Sequence, residues 1–197
     1  MHQLIVLQGG DDIRKRANQS LMKQIARISS TKRVLVIPWT HKSDDREEEH
    51  RELLTGYFKE GGFREVIFLE RDDSEEEVSA KMSRVDVVYL PGGDPSTLYE
   101  EMRARSLQQR LRDFKGIIVG NSAGAIVLSR GAEHEGKFYQ GFGLADFFIS
   151  VHYDLRFESG PEGASSTINI PEGMWIATSA LSKRSRVVHA ACKTVMG

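Results

Sequence analysis

The sequence predicts an α/β fold in which helices cover both faces of a doubly wound, mainly parallel β-sheet. Through the first 120 residues, short runs rich in β-branched residues alternate with longer polar stretches of helical spacing. The short runs are apolar on both faces, which is typical of parallel strands buried between two layers of helices. With 197 residues, 40% hydrophobic and 28% charged, the chain has an ordinary globular composition. We therefore expect residues 1–197 to form a single α/β domain.

The first 120 residues supply the alternating strands and helices of this prediction. The predicted strands are Leu4–Leu7, Arg33–Ile37, Glu65–Leu69, Val85–Leu90 and Gly116–Val119. The predicted helices are, approximately, Arg14–Ser29, Asp45–Glu60, Ser74–Ser83 and Pro95–Phe114. In the second helix the apolar residues of 53–58 recur at helical spacing, which indicates one buried face. Asp94 and Pro95 mark the start of the fourth helix, as a cap and a first-turn proline.

The pattern changes after about Leu128. Glycines divide the chain into short segments, and four further strand-like runs follow. These runs are Phe147–Val151, Thr167–Ile170, Met174–Thr178 and Arg186–Ala190. We expect them to form extra C-terminal strands and loops added to the sheet.

Composition excludes several classes of protein. The net charge of −1 gives no general attraction for nucleic acid or an anionic membrane. The single cysteine, Cys192, cannot form an internal disulfide, which fits a reducing compartment. The chain starts without the pattern of a signal peptide, and no apolar run is long enough to span a bilayer. We expect a cytoplasmic protein with neither nucleic acid nor membrane as a partner.

Two glycine pairs follow predicted strands, where ligands collect in a doubly wound sheet. Gly9-Gly10 follows the first strand and Gly92-Gly93 follows the fourth. Each pair fits a tight strand-to-helix turn. Gly92-Gly93 also fits a second interpretation, in which a bare backbone N–H points at a bound oxyanion. The chain has neither a dinucleotide fingerprint nor a phosphate-binding loop, and its histidines lack metal-ligand spacing, so we expect no cofactor and no metal.

The segment Gly120-Asn121-Ser122-Ala123-Gly124 has the G-x-S-x-G pattern of a nucleophile elbow. It lies between an apolar strand and a helix of small residues, where the serine Oγ projects from the sheet edge. The Ala123 N–H is then placed to donate to an oxyanion. The alternative is a glycine-rich turn in which Ser122 only caps the helix.

A serine nucleophile needs a neighbouring base and a carboxylate that orients this base. His152 ends an apolar run and begins a polar turn, so a strand would hold it rigidly beside an open cleft. This position favours His152 over His41 as the base. Spacing alone does not choose the carboxylate. The candidates are Asp146, Asp154, Glu158, Glu162 and Glu172.

At these residues the chain resembles the serine peptidases of the aspartyl dipeptidase (dipeptidase E) and cyanophycinase family, peptidase family S51. The matching segments occur in family order. They are Leu90-Pro91-Gly92-Gly93-Asp94, Gly120-Asn121-Ser122-Ala123-Gly124-Ala125, Gly141-Phe142-Gly143-Leu144, His152-Tyr153-Asp154-Leu155-Arg156 and Ile170-Pro171-Glu172-Gly173. The resemblance implies a class I glutamine amidotransferase-like fold, with serine where the amidotransferases carry cysteine.

The resemblance also assigns roles to individual residues. It makes Ser122 the nucleophile, His152 the general base and Glu172 the acid that orients the histidine. The implied oxyanion donors are the N–H groups of Gly93 and Ala123. The implied substrate-binding residues are Arg156, Asp94 and Asn121, although Arg156 equally fits an ion pair with Asp154 or Glu158.

These roles predict a serine-type peptidase that hydrolyses small, dipeptide-like substrates through an acyl-enzyme intermediate. Two departures from the family pattern argue against cyanophycin as the substrate and against specificity for aspartyl dipeptides. Phe157-Glu158-Ser159-Gly160 stands where cyanophycinases carry further arginines, and Asp94-Pro95-Ser96 differs from the Asn-Thr-Phe-like segment of aspartyl dipeptidases. The alternative function is a non-catalytic binding or regulatory module on the same fold. A homodimer contact in the apolar region Phe138–Phe148 stays open.

Overall fold

The computed structural model describes residues 3–41, 47–134, 136–153, 167–179 and 187–191. Its strands are β1 Leu4–Gln8, β2 Arg33–Val36, β3 Glu65–Phe68, β4 Val87–Leu90, β5 Ile117–Asn121, β6 Gly131–His134, β7 Lys137–Gln140, β8 Phe148–Tyr153, β9 Thr167–Pro171, β10 Trp175–Ser179 and β11 Val187–Ala191. Its helices are α1 Gln19–Ile28, α2 Glu47–Glu60, α3 Glu75–Ser83, α4 Pro95–Ala104, α5 Leu107–Asp113 and α6 Ala123–Leu128.

The larger sheet contains seven strands in the order β11-β10-β1-β5-β4-β2-β3. The five strands from β1 to β3 in this order run parallel, and β10 and β11 extend the sheet in antiparallel pairing. This confirms the predicted mainly parallel, doubly wound sheet. Because the parallel strands share one direction, their carboxyl ends lie at one edge of the sheet.

Helices cover both faces of this sheet, as predicted. On one face, apolar residues of α1 and α2 such as Leu21 and Phe58 pack against Val34 and Val36 of β2. On the other face, residues of α3 to α6 and of the smaller sheet pack against the alternate side chains of the strands. The strands are therefore buried on both sides, which explains their continuous apolar runs.

The region after α6 differs from the prediction. Strands β6 to β9 form a separate four-stranded sheet in the order β7-β6-β8-β9, and only β10 and β11 join the larger sheet. The hairpin of β6 and β7 has no counterpart among the predicted strands. Its second strand, Lys137–Gln140, is mostly exposed, so it lacks the apolar run on which the prediction depends.

The helices also depart from the prediction in two places. The long fourth helix is divided into α4 and α5, because Ser106 adopts a left-handed backbone with φ of 53° that ends the regular hydrogen bonding. The first helix begins at Gln19, and residues 13–18 form turns instead. Within the part of the chain that the structure describes, no helix combines the length and apolarity needed to cross a membrane.

Candidate active site

Ser122 lies on a strained turn between β5 and α6. Its φ of 47° and ψ of −103° are unusual for a residue with a side chain. The chain passes closely on both sides: a Cβ on Gly120 would lie 2.6 Å from the Ala125 nitrogen, and one on Gly124 would lie 2.6 Å from Cβ of Leu90. The glycines of the G-x-S-x-G pattern are thus required by packing. The Ser122 side chain makes no cap hydrogen bond to α6, so its hydroxyl has no capping role.

His152 reaches this hydroxyl from β8 in the smaller sheet. The pairing of β8 with β9 shifts register between Val151 and Tyr153, and His152 has a positive φ of 55°. An irregularity of this kind re-aims a side chain away from the regular pleat. The His152 Nε2 lies 2.7 Å from the Ser122 Oγ.

His41 occupies a different position. It is exposed, and its ring makes an edge contact with the His50 ring at a centroid distance of 6.2 Å. Of the two histidines that the sequence left open, His152 is the one hydrogen-bonded to Ser122.

Glu172 lies in the turn that directly follows β9, and its Oε2 is 2.5 Å from the His152 Nδ1. Gly173, with φ of 70°, allows the chain to turn there. Asp146, another predicted candidate, instead forms an ion pair with Arg130 at 2.9 Å. The other candidates and the predicted substrate-binding arginine lie outside the described residues: Asp154, Arg156, Glu158 and Glu162.

The segment of residues 8–10 connects the three parts of the site through its backbone. The Ser122 N–H donates to the Gln8 carbonyl at 3.1 Å, and the His152 N–H donates to the Gly9 carbonyl at 2.8 Å. The Gly173 N–H, next to Glu172, donates to the Gly10 carbonyl at 2.9 Å. Sequence reasoning treated Gly9-Gly10 only as a turn, because a backbone carbonyl carries no residue-type signal.

Gly10 also borders the side chains of the site. A Cβ at this position would lie 2.6 Å from Cε1 of His152 and would contact the Oε2 of Glu172 still more closely. The His152 imidazole and the Glu172 carboxylate therefore both pack against Gly10, where a side chain would displace them.

Two backbone N–H groups, those of Gly93 and Ala123, lack an acceptor within the described part of the chain. Ala123 is the first residue of α6, so its N–H precedes the helical hydrogen-bond pattern. Gly93 has φ of 138°, and a Cβ there would lie 2.6 Å from Oγ1 of Thr40. Its neighbour Gly92 borders Ser122, since a Cβ on Gly92 would lie 3.5 Å from the Ser122 Cβ. The geometry leaves both predicted oxyanion donors free.

The predicted substrate-binding residues that are described lie beside this turn. Asn121 is 3% exposed, and its Oδ1 has no partner within the described residues. Asp94 caps α4, where its Oδ2 accepts the Thr97 N–H at 2.8 Å. Asp94 also lines a cavity of about 520 Å³ that extends along α4 past Glu100 and Glu101.

Asp11 is a further carboxyl near the site, and the sequence analysis gave it no role. Its Oδ2 accepts the Tyr57 hydroxyl at 2.5 Å, and its Oδ1 accepts the Asn18 N–H at 3.0 Å. Burial raises the pKa of Asp11, an effect that these hydrogen bonds oppose and that the nearby Glu172 charge reinforces.

Among the described residues, no group of three or more histidine, cysteine, aspartate or glutamate side chains is placed to hold a metal ion.

A serine on a strand–turn–helix elbow with a histidine at hydrogen-bonding distance defines the class of serine-dependent hydrolases. Residues 4–173 match the sequence profile described as Peptidase family S51. The chain belongs to peptidase family S51 and is a serine-type hydrolase.

Two solved structures share the fold. A peptidase from an acI-B1 Actinobacterium superimposes with a TM-score of 0.68 at 22% identity, covering 96% of this chain and 86% of that one. A putative peptidase E from Listeria monocytogenes EGD-e gives a TM-score of 0.65 at 15% identity, covering 96% of this chain and 100% of that one. A search of curated proteins finds no match.

Proposed function

We propose that the protein is a serine peptidase that hydrolyses small, dipeptide-like substrates through a Ser122–His152–Glu172 triad. The observation that carries the proposal is the continuous set of short contacts from hydroxyl to carboxylate. Ser122 Oγ lies 2.7 Å from His152 Nε2, and His152 Nδ1 lies 2.5 Å from Glu172 Oε2. Acyl transfer also needs N–H donors for the oxyanion, and the Gly93 and Ala123 N–H groups, which lack an acceptor within the described residues, support this role.

The reaction begins when the Ser122 Oγ attacks the carbonyl carbon of the scissile amide. His152 Nε2 takes the hydroxyl proton, and Glu172 stabilises the resulting imidazolium at Nδ1. The N–H groups of Gly93 and Ala123 donate to the oxyanion that develops on the substrate. His152 then gives the proton to the leaving amine, and an acyl-enzyme remains.

The second half of the reaction repeats these roles with water. His152 removes a proton from the water that attacks the acyl carbon, and the same donors hold the oxyanion. The tetrahedral intermediate then releases the peptide acid and restores the Ser122 hydroxyl. Nothing in this sequence of steps requires a group from outside the chain other than the peptide and water.

The substrate class rests on the family and on the surroundings of Ser122. Family S51 membership supports an amide substrate, and the Listeria structure of similar fold is described as a putative peptidase E. Asp94 borders the cavity along α4, where a short peptide would find a polar side chain. The family resemblance also makes Arg156, which lies outside the described residues, a bidentate partner for a substrate carboxylate. A small peptide is therefore the partner that we propose.

A serine-directed phosphonate probe tests the nucleophile directly. We expect mass to be added at Ser122 of the folded wild type, and no addition to Ser122→Ala. Against a panel of dipeptides with and without N-terminal aspartate, Ser122→Ala should lose about 10³-fold or more in kcat. Its melting temperature should stay that of the wild type, because alanine and serine occupy this backbone with similar strain. Absence of labelling in folded wild type would instead favour a binding module.

A further inference from the structure

The segment of residues 8–10 holds all three parts of the proposed triad, yet it contains two adjacent glycines. Gln8 is held in the sheet by its pairing with Asn121 and Trp175, and the Gly9 N–H donates to the Met174 carbonyl at 3.0 Å. Glycine has the largest backbone freedom of any residue, so the Gly10 end of the segment gains most from a further anchor. Its three carbonyls accept the N–H groups of Ser122, His152 and Gly173. A displacement of the segment would move nucleophile, base and acid relative to one another.

Asp11 provides that anchor at the end of the segment. Its carboxylate accepts the Tyr57 hydroxyl and the Asn18 N–H, one on each oxygen. Asn18 also holds the segment itself, because its Nδ2 lies 3.4 Å from the Gly10 carbonyl. The residues after Gly10 are thereby tied to fixed points in the fold.

Tyr57 is a rigid point of attachment. It lies in α2 with no exposed surface, and its ring packs edge-on against Phe58 at a centroid distance of 5.4 Å. Burial raises the pKa of Tyr57 well above its ordinary value, so the phenol keeps its proton and remains a donor to Asp11.

We propose that Asp11 is a positioning residue for the active site, which fixes residues 8–10 to α2 and so holds Ser122, His152 and Glu172 in hydrogen-bonding register. The inference rests on the proposed function, since it concerns the geometry of the same triad. Active sites lose rate steeply when reacting groups shift by as little as about 1 Å. A single anchor at Asp11 therefore affects the proton relay without contacting the substrate.

The Asp11 carboxyl also lies close enough to Glu172, the proposed partner of His152, for the Glu172 charge to raise the pKa of Asp11, in addition to the larger effect of burial. The titratable and charged groups that influence it come from several elements: Tyr57 of α2, Tyr89 of β4, Glu172 after β9, and Asp12 and Arg16 of its own loop. An anion near an imidazolium favours the protonated ring. Removal of the charge should therefore move the acid limb of the pH profile of kcat/KM to lower pH.

Three variants separate the anchor from the charge. Asp11→Asn removes the charge and leaves one accepting oxygen, whereas Tyr57→Phe removes one donor and keeps the charge. Asp12→Asn is the matched control, because Asp12 is the adjacent aspartate and its carboxylate forms an ion pair with Lys15 at 3.0 Å on the surface. Each variant is measured for melting temperature, kcat and KM, the pH profile of kcat/KM, and the downfield NMR resonance of the proton between His152 and Glu172.

We expect Asp11→Asn to lower kcat about tenfold or more with little change in KM. Its acid limb should move to lower pH by about 0.5 pH unit, and the downfield resonance should shift or broaden. Tyr57→Phe should lower kcat without moving the acid limb, and Asp12→Asn should match the wild type in all readouts. Wild-type kcat, pH profile and resonance in Asp11→Asn would overturn the proposal.

The NMR readout also separates this proposal from the proposed function. If Ser122→Ala keeps full activity, the triad mechanism is wrong, but the His152–Glu172 resonance still reports the geometry. A resonance that changes in Asp11→Asn and not in Asp12→Asn then still supports Asp11 as the positioning residue. An unchanged resonance overturns it.

Discussion

Two aspartates at opposite edges of the larger sheet meet contrasting environments. At the amino edge, Asp86 precedes β4 and accepts five hydrogen bonds from residues 29–31. Partial burial alone would raise its pKa, but the hydrogen bonds from Ser29, Thr31 and Ser30 outweigh burial and lower the pKa to about 2. At the carboxyl edge, Asp11 accepts two hydrogen bonds from the described residues, and burial raises its pKa.

The same contrast extends beyond the two carboxyl groups. Near the carboxyl edge, four buried side chains carry polar atoms without a partner in the described part of the structure: Gln8, Thr40, Tyr89 and Asn121. Unsatisfied buried groups cost stability, and proteins tolerate them mainly where function requires them. The hydrogen bonds of Asp86 thus stabilise the amino edge, whereas the unpaired polar atoms at the carboxyl edge cost stability beside the proposed site.

Gly10→Ala should have the largest effect, and it acts on the carboxyl edge alone. The added Cβ would displace the His152 ring and the Glu172 carboxylate, so we expect kcat to fall by about 10³-fold. The control is Gly56→Ala in α2, where the nearest atom to an added Cβ is 3.9 Å away. It should raise stability by about 1 kcal/mol and leave kcat unchanged. Equal kcat values for Gly10→Ala and the wild type would remove Gly10 from the site.

Glu172→Gln tests the acid of the proposed triad with almost no change in shape. The amide keeps the volume but loses the charge that stabilises the imidazolium, so kcat should fall by about 10²-fold. Substrate binding should change little, which steady-state measurements of kcat and KM distinguish. Unchanged turnover would transfer the orienting role to another carboxylate, with Asp154 the nearest candidate in sequence to His152.

Asp86→Asn should have the opposite effect to the changes at the carboxyl edge: it should lower stability and leave activity intact. The asparagine loses charged hydrogen bonds to residues 29–31, worth about 1–2 kcal/mol after allowance for solvent screening. For a chain of this size the loss lowers the melting temperature by about 2–8 °C. A parallel fall in kcat per folded molecule would contradict the separation of the two edges.

The smallest expected effect is a difference in the sign of pH dependence. The lowered pKa of Asp86 stabilises the fold above its ordinary value of 3.8, and this contribution is lost as pH falls toward 2. The raised pKa of Asp11 has the opposite consequence, because its contribution is present below the ordinary value and is lost as pH rises through the raised one.

Urea unfolding at pH 3, 5 and 7 measures these contributions. The stability advantage of the wild type over Asp86→Asn should grow with pH, and its advantage over Asp11→Asn should shrink. Curves with the same slope for both variants would show that the two carboxyl groups do not differ in the way described.

The sequence predicts the parallel sheet well because its strands are buried on both faces and each is an uninterrupted apolar run. It does not predict β6 and β7, since Lys137–Gln140 is short, polar and exposed and has no periodic signal. It also does not predict the division between α4 and α5, because no glycine or proline marks the positive φ of 53° at Ser106.

The candidate site likewise contains residues that the sequence predicts and residues that it does not. Ser122 carries a local signature, since two glycines at fixed spacing are needed for its turn. The resemblance singled out Glu172, but spacing alone left five carboxylates open, because the contact with His152 depends on the pairing of β8 with β9. The role of residues 8–10 lies in their carbonyl groups and has no counterpart in side-chain identity.

The proposed relay is divided between the two sheets: Ser122 follows β5 of the larger sheet, whereas His152 lies in β8 and Glu172 directly follows β9 of the smaller one. A tilt of one sheet against the other would part serine from histidine first and leave the imidazole–carboxylate pair joined. Thermal movement of one sheet relative to the other would therefore abolish activity at a lower temperature than unfolding. We expect heat inactivation to precede melting.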